Sequence, residues 1–165
     1  MKLENSNIKM NKDQKQLEVL YESLNDSVYI SSKKLTVLPK DWSSKDIKGN
    51  FDCHHNQLTS LDGAPDHIGG YFDCSDNRLT SLEGSPKTVG GIFRCSYNKL
   101  TSLEGAPRSV GGNFCCSSNN LTSLKGAPDH IGGEFMSDQF TDNDYREYIK
   151  YSKLREKHKE LEGIF

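Results

Sequence analysis

"FDCHHNQLTSLDGAPDHIGG", residues 51–70, returns as "FDCSDNRLTSLEGSPKTVGG" at residues 72–91, a shift of 21 positions. The same spacing sets Phe51, Phe72, Phe93, Phe114 and Phe135 in one column, and Cys53, Cys74, Cys95 and Cys116 in another. Asn56, Asn77, Asn98 and Asn119 repeat likewise, as do the leucines led by Leu58 and Leu61, the prolines led by Pro65, and an Ile or Val led by Ile68. A unit F-x-C-x-x-N-x-L-T-S-L-x-G-x-P-x-x-[IV]-G-G-x stacked at a fixed period describes a solenoid, in which each copy buries its apolar side chains against its neighbours.

Within one unit, successive strand side chains point to opposite faces, so Phe72 and Cys74 are expected inside and Asp73 outside. The strands of consecutive units then pair in parallel. Asn77 ends the strand, where its amide can serve backbone groups of its own turn and of the adjacent one, making an asparagine ladder. Leu79, Leu82 and Val89 complete the core, Pro86 favours an extended return path, and Gly90 and Gly91 permit the bend into the next strand. A lone unit buries too little to offset the entropy of ordering its backbone, so stacking is obligatory.

An irregular first copy, "VYISSKKLTVLPKDW", places Val28, Ile30, Leu35 and Leu38 in register and runs two residues longer before Ile47. The flanks read as helices. Leu17, Leu20, Tyr21 and Leu24 have helical spacing, with Asn11 or Asp13 as N-cap. Thr141 or Asp142 can cap a second helix with a partial apolar face of Tyr145, Tyr148, Ile149 and Leu154, ended by Gly163. The expected organisation is an N-terminal helical cap over 1–27, a solenoid over 28–140 whose regular repeats begin at 51 after an atypical copy at 28–50, and a charged helix over 141–165.

The repeats fit the leucine-rich-repeat template L-x-L-x-x-N-x-L with Phe and Cys in the first two leucine positions. The stretch "LTSLEGAPRSVGGNFCCSSNNLTSL" resembles the short bacterial leucine-rich repeats of the YopM and IpaH effector type, and is still more similar to repeats in small proteins of tailed bacteriophages and their bacterial relatives. That resemblance covers residues 28 to about 140 and implies an α/β repeat solenoid with a short-stranded parallel sheet on its concave face and capping helices at both ends. The period differs from the 20 or 22 of the effectors, and no ubiquitin-ligase domain follows the repeats. What the resemblance implies for function is a non-catalytic protein-binding scaffold, and by analogy a phage-derived inhibitor or modulator of a host protein, including one of a defence system. A self-assembling virion or accessory component is the alternative; a nucleic-acid-associated or enzymatic role is a second.

Charge and composition narrow these classes. The net charge is −2 with no basic block, which argues against a nucleic-acid partner. No run approaches membrane-spanning length, the N-terminal "MKLENSNIKMNKDQ" lacks the apolar stretch of a secretory signal, and the cysteines lack the spacing of a disulfide framework. A cytoplasmic protein, in a bacterial host cell if phage-derived, is the expectation.

Four of the five cysteines occupy an inward column and read as small core side chains. Cys115 falls at an outward position. His54 and His55 follow Cys53, yet no spaced second ligand pair suggests a metal. Thr59 and Ser60 recur in every copy and suit the turn better than a nucleophile's role. Asp52, Asp73 and Asp76 have no implied pocket in a thin solenoid. No enzyme activity, cofactor or metal is expected.

The copies differ where the strand faces outward. Asp52, His54, His55, Tyr71, Asp73, Asp76, Ile92, Arg94, Tyr97 and Cys115 are therefore the expected partner-binding residues, with Tyr71, Ile92, Arg94 and Tyr97 at the centre because Tyr and Arg dominate binding energetics. The aspartates to one side point to a protein partner with a basic patch. Such a face offers on the order of 400 Å², against about 800 Å² for a standard interface. Its rims or the terminal helices should contribute, and the C-terminal helix offers a route to a homo-oligomer.

Overall fold

The computed structural model describes residues 26–39, 42–43 and 45–162, with side chains to 159. The fold is a parallel β-solenoid of about five turns followed by one helix. The helix expected near residues 11–24 lies outside the described residues, as does Gly163.

Among the described residues, eleven two-residue strands make two parallel sheets. The first contains β1 (Val28–Tyr29), β3 (Phe51–Asp52), β5 (Phe72–Asp73), β7 (Phe93–Arg94), β9 (Phe114–Cys115) and β11 (Phe135–Met136), paired in that order. Its register sets each Phe beside the next, and Val28 beside Phe51 across the longer first turn. The second contains β2 (Asp46–Ile47), β4 (His67–Ile68), β6 (Thr88–Val89), β8 (Ser109–Val110) and β10 (His130–Ile131). Sequence alone suggested only an extended return path there. The Ile or Val points inward, the residue before it outward, and the following glycines let adjacent turns approach to hydrogen-bond distance.

The glycine pair acts through space. A Cβ on Gly90 would lie 2.3 Å from the carbonyl oxygen of Gly69, and one on Gly111 would lie 2.1 Å from that of Gly90. Conformational freedom is used elsewhere, at the glycine two residues before the proline of each regular repeat: Gly84 has φ +81° and Gly105 has φ +85°. These residues, not the pair, occupy the left-handed region that favours glycine.

An interior turn is tied to both neighbours by opposite donors. In the first sheet Phe72 N–H and Cys74 N–H donate forward to the carbonyls of Ile92 and Arg94, both at 2.9 Å. In the second, Gly90 N–H donates backward to Ile68 at 2.8 Å. The asparagine column completes the link. Asn98 Nδ2 donates to the carbonyl oxygens of Cys74 and Cys95, both at 3.1 Å, while its Oδ1 accepts from Leu79 N–H at 2.9 Å. Asn77 and Asn119 repeat this pattern. The residue before each asparagine adopts a left-handed conformation: His55, Asp76, Tyr97 and Ser118 have φ between 52° and 55°. That reversal carries the chain off the strand.

Between the sheets lies one continuous core. Phe51, Phe72, Phe93, Phe114 and Phe135 stack with ring centroids 5.2 to 5.8 Å apart and near-parallel planes. Each pair adds about 0.5–1.5 kcal/mol beyond the area it buries. Cys53, Cys74, Cys95 and Cys116 are buried as unpaired thiols, as expected for core side chains. Trp42, which the sequence reading left unassigned, is buried in the long first turn and meets Phe51 edge-on at 5.1 Å.

The opposite end is closed by α1 (Asp142–Glu162), which supplies what a further turn would supply. Tyr145 continues the aromatic stack on Phe135 at 5.2 Å, and its hydroxyl donates to the carbonyl of Pro128 at 3.0 Å. Asp142 Oδ1 accepts from Phe135 N–H at 3.0 Å, replacing the carbonyl of a following strand. The Phe135 N–H and the Arg146 guanidinium hold the Asp142 carboxyl below the ordinary aspartate range. The helix cap is Thr141: its Oγ1 accepts from Asp144 N–H at 3.2 Å, and Asp144 Oδ2 accepts from Thr141 N–H at 2.7 Å. Tyr148 and Ile149 pack on the core as expected, but Leu154 does not, being 54% exposed. It lies beyond the end of the solenoid.

Asn98→Ala leaves two buried carbonyls and one buried N–H without their side-chain partner. It should cost about 2–4 kcal/mol in urea unfolding, while Ser96→Ala on the outer surface should stay within about 0.5 kcal/mol.

Candidate functional site

The outward side of the first sheet is built by the alternation that drives Phe and Cys inward. Successive turns present side chains in columns. One runs Tyr29, Asp52, Asp73, Arg94, Cys115, Met136, through paired strand positions. Beside it stand Tyr71 and Ile92, and past the strand ends His54, Ser75, His55, Asp76 and Tyr97.

At the centre, the Arg94 guanidinium sits 5.5 Å from the centroid of the Tyr71 ring. Arg94 Nη1 also stands 3.9 Å from Asp73 Oδ2. The other Asp73 oxygen accepts from Ser75 N–H at 3.0 Å and from the Ser75 hydroxyl. Burial, the Asp52 charge and Tyr29 push the Tyr71 phenol up to about 12, so it is a neutral donor at every physiological pH. Arg94 is thus held over an aromatic face with its charge only partly balanced, while Tyr97 is 65% exposed and Ile92 partly so. Of the four expected central residues, Tyr71 and Arg94 are in direct contact, and Ile92 and Tyr97 stand on the same turn as Arg94.

Towards the first turn the face is acidic and carries imidazoles. His54 Nδ1 lies 2.6 Å from Asp52 Oδ1, and His55 Nδ1 lies 2.5 Å from Asp76 Oδ2 on the next turn. Asp52 accepts the His54 N–H at 3.1 Å and, like Asp73, exposes only a small part of its side chain, 13% against 14%. The other expected positions on this face are partly or fully exposed. No group of three or more His, Cys, Asp or Glu among the described residues is arranged to hold a metal ion.

Towards the last turn the face pairs two sulfur side chains with the exposed carboxylates of Glu134 and Asp138. Cys115 Sγ lies 3.7 Å from Met136 Sδ, and Met136 is 44% exposed. Burial raises the Cys115 thiol above its ordinary value, the nearby Arg94 charge opposing that rise and Asp73 adding to it. Met136 stands outward as its register predicts, and Tyr29, which sequence reasoning missed, keeps the same outward register as Arg94. Two clefts lie near the junction of the last turn with α1, one lined by Met136, Asp138 and Phe140 among others, the second by Asp129, Tyr145 and Ile149.

No helix among the described residues is long and apolar enough to cross a membrane. Compared with protein-family models, with curated proteins and with solved structures, the chain matches none.

A raised thiol pKa leaves little thiolate at neutral pH, so Cys115 should react with iodoacetamide more slowly than a free cysteine and accelerate as pH rises past about 8.5. Arg94→Ala removes the cation that favours the thiolate and should slow it further. Mass spectrometry of the native protein should find Cys115 modified well before the inward cysteines; equal labelling of Cys95 would contradict the assigned faces.

Proposed function

We propose that the protein is a non-catalytic binding scaffold, a leucine-rich-repeat solenoid whose first sheet forms a concave face that takes another protein. The observation that carries this reading is the division of labour within each turn. Positions that face inward repeat from turn to turn, whereas several outward positions vary, among them Tyr71, Ile92, Arg94 and Tyr97, with Arg94 set over the Tyr71 ring. Folding does not require those four identities. Aromatic and arginine side chains offer large contact areas and directional donors, which suits a protein surface.

The partner favoured by this surface has a basic patch for Asp73 and Asp76 and an apolar or acidic feature for the Tyr71–Arg94 centre. The similarity of the repeats to those of small phage proteins supports a sharper role: an intracellular inhibitor or modulator of a bacterial host protein, such as a component of a defence system. The face is small for a stable complex, so the turns at its rim and α1 contribute contacts or the complex is short-lived.

Affinity capture from a bacterial lysate tests this reading. Wild type should recover at least one partner that the Tyr71→Ala, Arg94→Ala, Tyr97→Ala triple variant loses at least about tenfold, with both proteins showing the same thermal unfolding. Recovery of identical partners by both would overturn the assignment of the face.

A further inference from the structure

The last packed residue of α1 is Ser152, which is half-buried; every residue from Lys153 to Lys159 is exposed. The helix continues to Glu162, so about 15 Å of it runs on without the solenoid's support. An isolated helical end of that length is marginal in water and gains from a partner surface.

Its chemistry is uneven. Between Arg146 and Lys159 stand Arg146, Lys150, Lys153, Arg155, Lys157 and Lys159 against Glu147 and Glu156. Lys150, Leu154 and Lys157 are spaced i, i+4, i+7 and share one side, giving a cation, an exposed leucine and a second cation over about 10 Å. Tyr151, also exposed, stands beside Leu154, with the Lys150 ammonium 5.9 Å from its ring centroid.

The outer side of the first sheet has the complementary order. Asp73 and Asp76 lie on one side of Tyr97 and Ile92, and Glu134 and Asp138 on the other; Asp76, Glu134 and Asp138 are exposed. From the turn of Asp76 to that of Asp138 is three strand spacings, about 14 Å. A helix laid across the strands would set Leu154 and Tyr151 against Tyr97 and Ile92 while its flexible lysines reach carboxylates at both ends.

We propose that the projecting end of α1 docks on the outer side of the first sheet of a second copy of this chain. The inference rests on the reading of that face as a protein-binding surface and names one occupant for it. The contact joins two different surfaces, so copies chain head to tail unless two of them exchange helices reciprocally. It is small, so it is weak and depends on concentration and salt. A foreign protein binding the same face would compete with it.

Sedimentation equilibrium of the full-length protein from micromolar to millimolar concentration tests the contact. Wild type should show an average mass that rises above that of the monomer with concentration at low salt, with association at least about tenfold weaker at high salt. A helix-neutral variant, Lys150→Gln, Lys153→Gln, Arg155→Gln and Lys157→Gln, should be monomeric. So should a face-reversed variant, Asp76→Lys, Glu134→Lys and Asp138→Lys. Mixed, the two variants retain one native helix and one native face, and should form a 1:1 complex and nothing larger. Wild type that stays monomeric throughout, a mixture that stays monomeric, or a face-reversed variant that associates as wild type does would each overturn the proposal. Helix-to-helix pairing would show itself in that last way. None of these outcomes bears on capture of a foreign partner by Tyr71, Arg94 and Tyr97, which the triple alanine variant tests separately.

Discussion

Each turn of this chain borrows its hydrogen-bond partners from the turns beside it. The strand that begins a unit gives its N–H groups to the following turn, the strand that ends it gives them to the preceding one, and the asparagine between them spans two turns at once. A buried amide without a partner costs about 1–3 kcal/mol, so an interior unit has no stable structure of its own. The constraint explains the repetition. It also explains the glycine pairs, because the turns must come so close that a methyl group would meet the neighbouring backbone.

A structure made this way must end somewhere, and its ends imitate a neighbour. Tyr145 takes the place of the next Phe ring and Asp142 the place of the next carbonyl, so a helix closes a stack of strands without leaving the last N–H unsatisfied. At the other side, Trp42 meets the phenylalanine column edge-on, and the longer first turn is what brings it there. Both devices use residues outside the repeat, since a repeated residue would only call for another turn.

The inward columns were legible in the sequence because burial there is enforced at every copy: Phe, Cys, Asn and Leu mark their own positions by recurring. The asparagine ladder followed from the same logic. The second sheet is harder to see, because two-residue strands have no alternation to read, and the Gly-Gly bend gives no sign that adjacent turns also come into backbone contact there. The left-handed residue before each asparagine was invisible, since His, Asp, Tyr and Ser share no side-chain property that announces positive φ. On the candidate face, alternation sets Tyr71 and Arg94 opposite Phe72 and Cys95, but it would turn Tyr97 inward with Cys95; the left-handed backbone at Tyr97 is what leaves that ring 65% exposed.

Because folding fixes only the inward columns, the outward ones are free to carry specificity, and the proposed binding role depends on that separation. It is tested most directly by shortening the solenoid. Deleting residues 72–92 removes one whole period and joins Tyr71 to Phe93, preserving every column; deleting residues 72–81 breaks them all. Urea unfolding of the first variant should remain cooperative, with a midpoint below wild type and a slope reduced in keeping with the smaller surface exposed, while the second should show no cooperative transition. A cooperative transition in the second variant, or its loss in the first, would contradict the account.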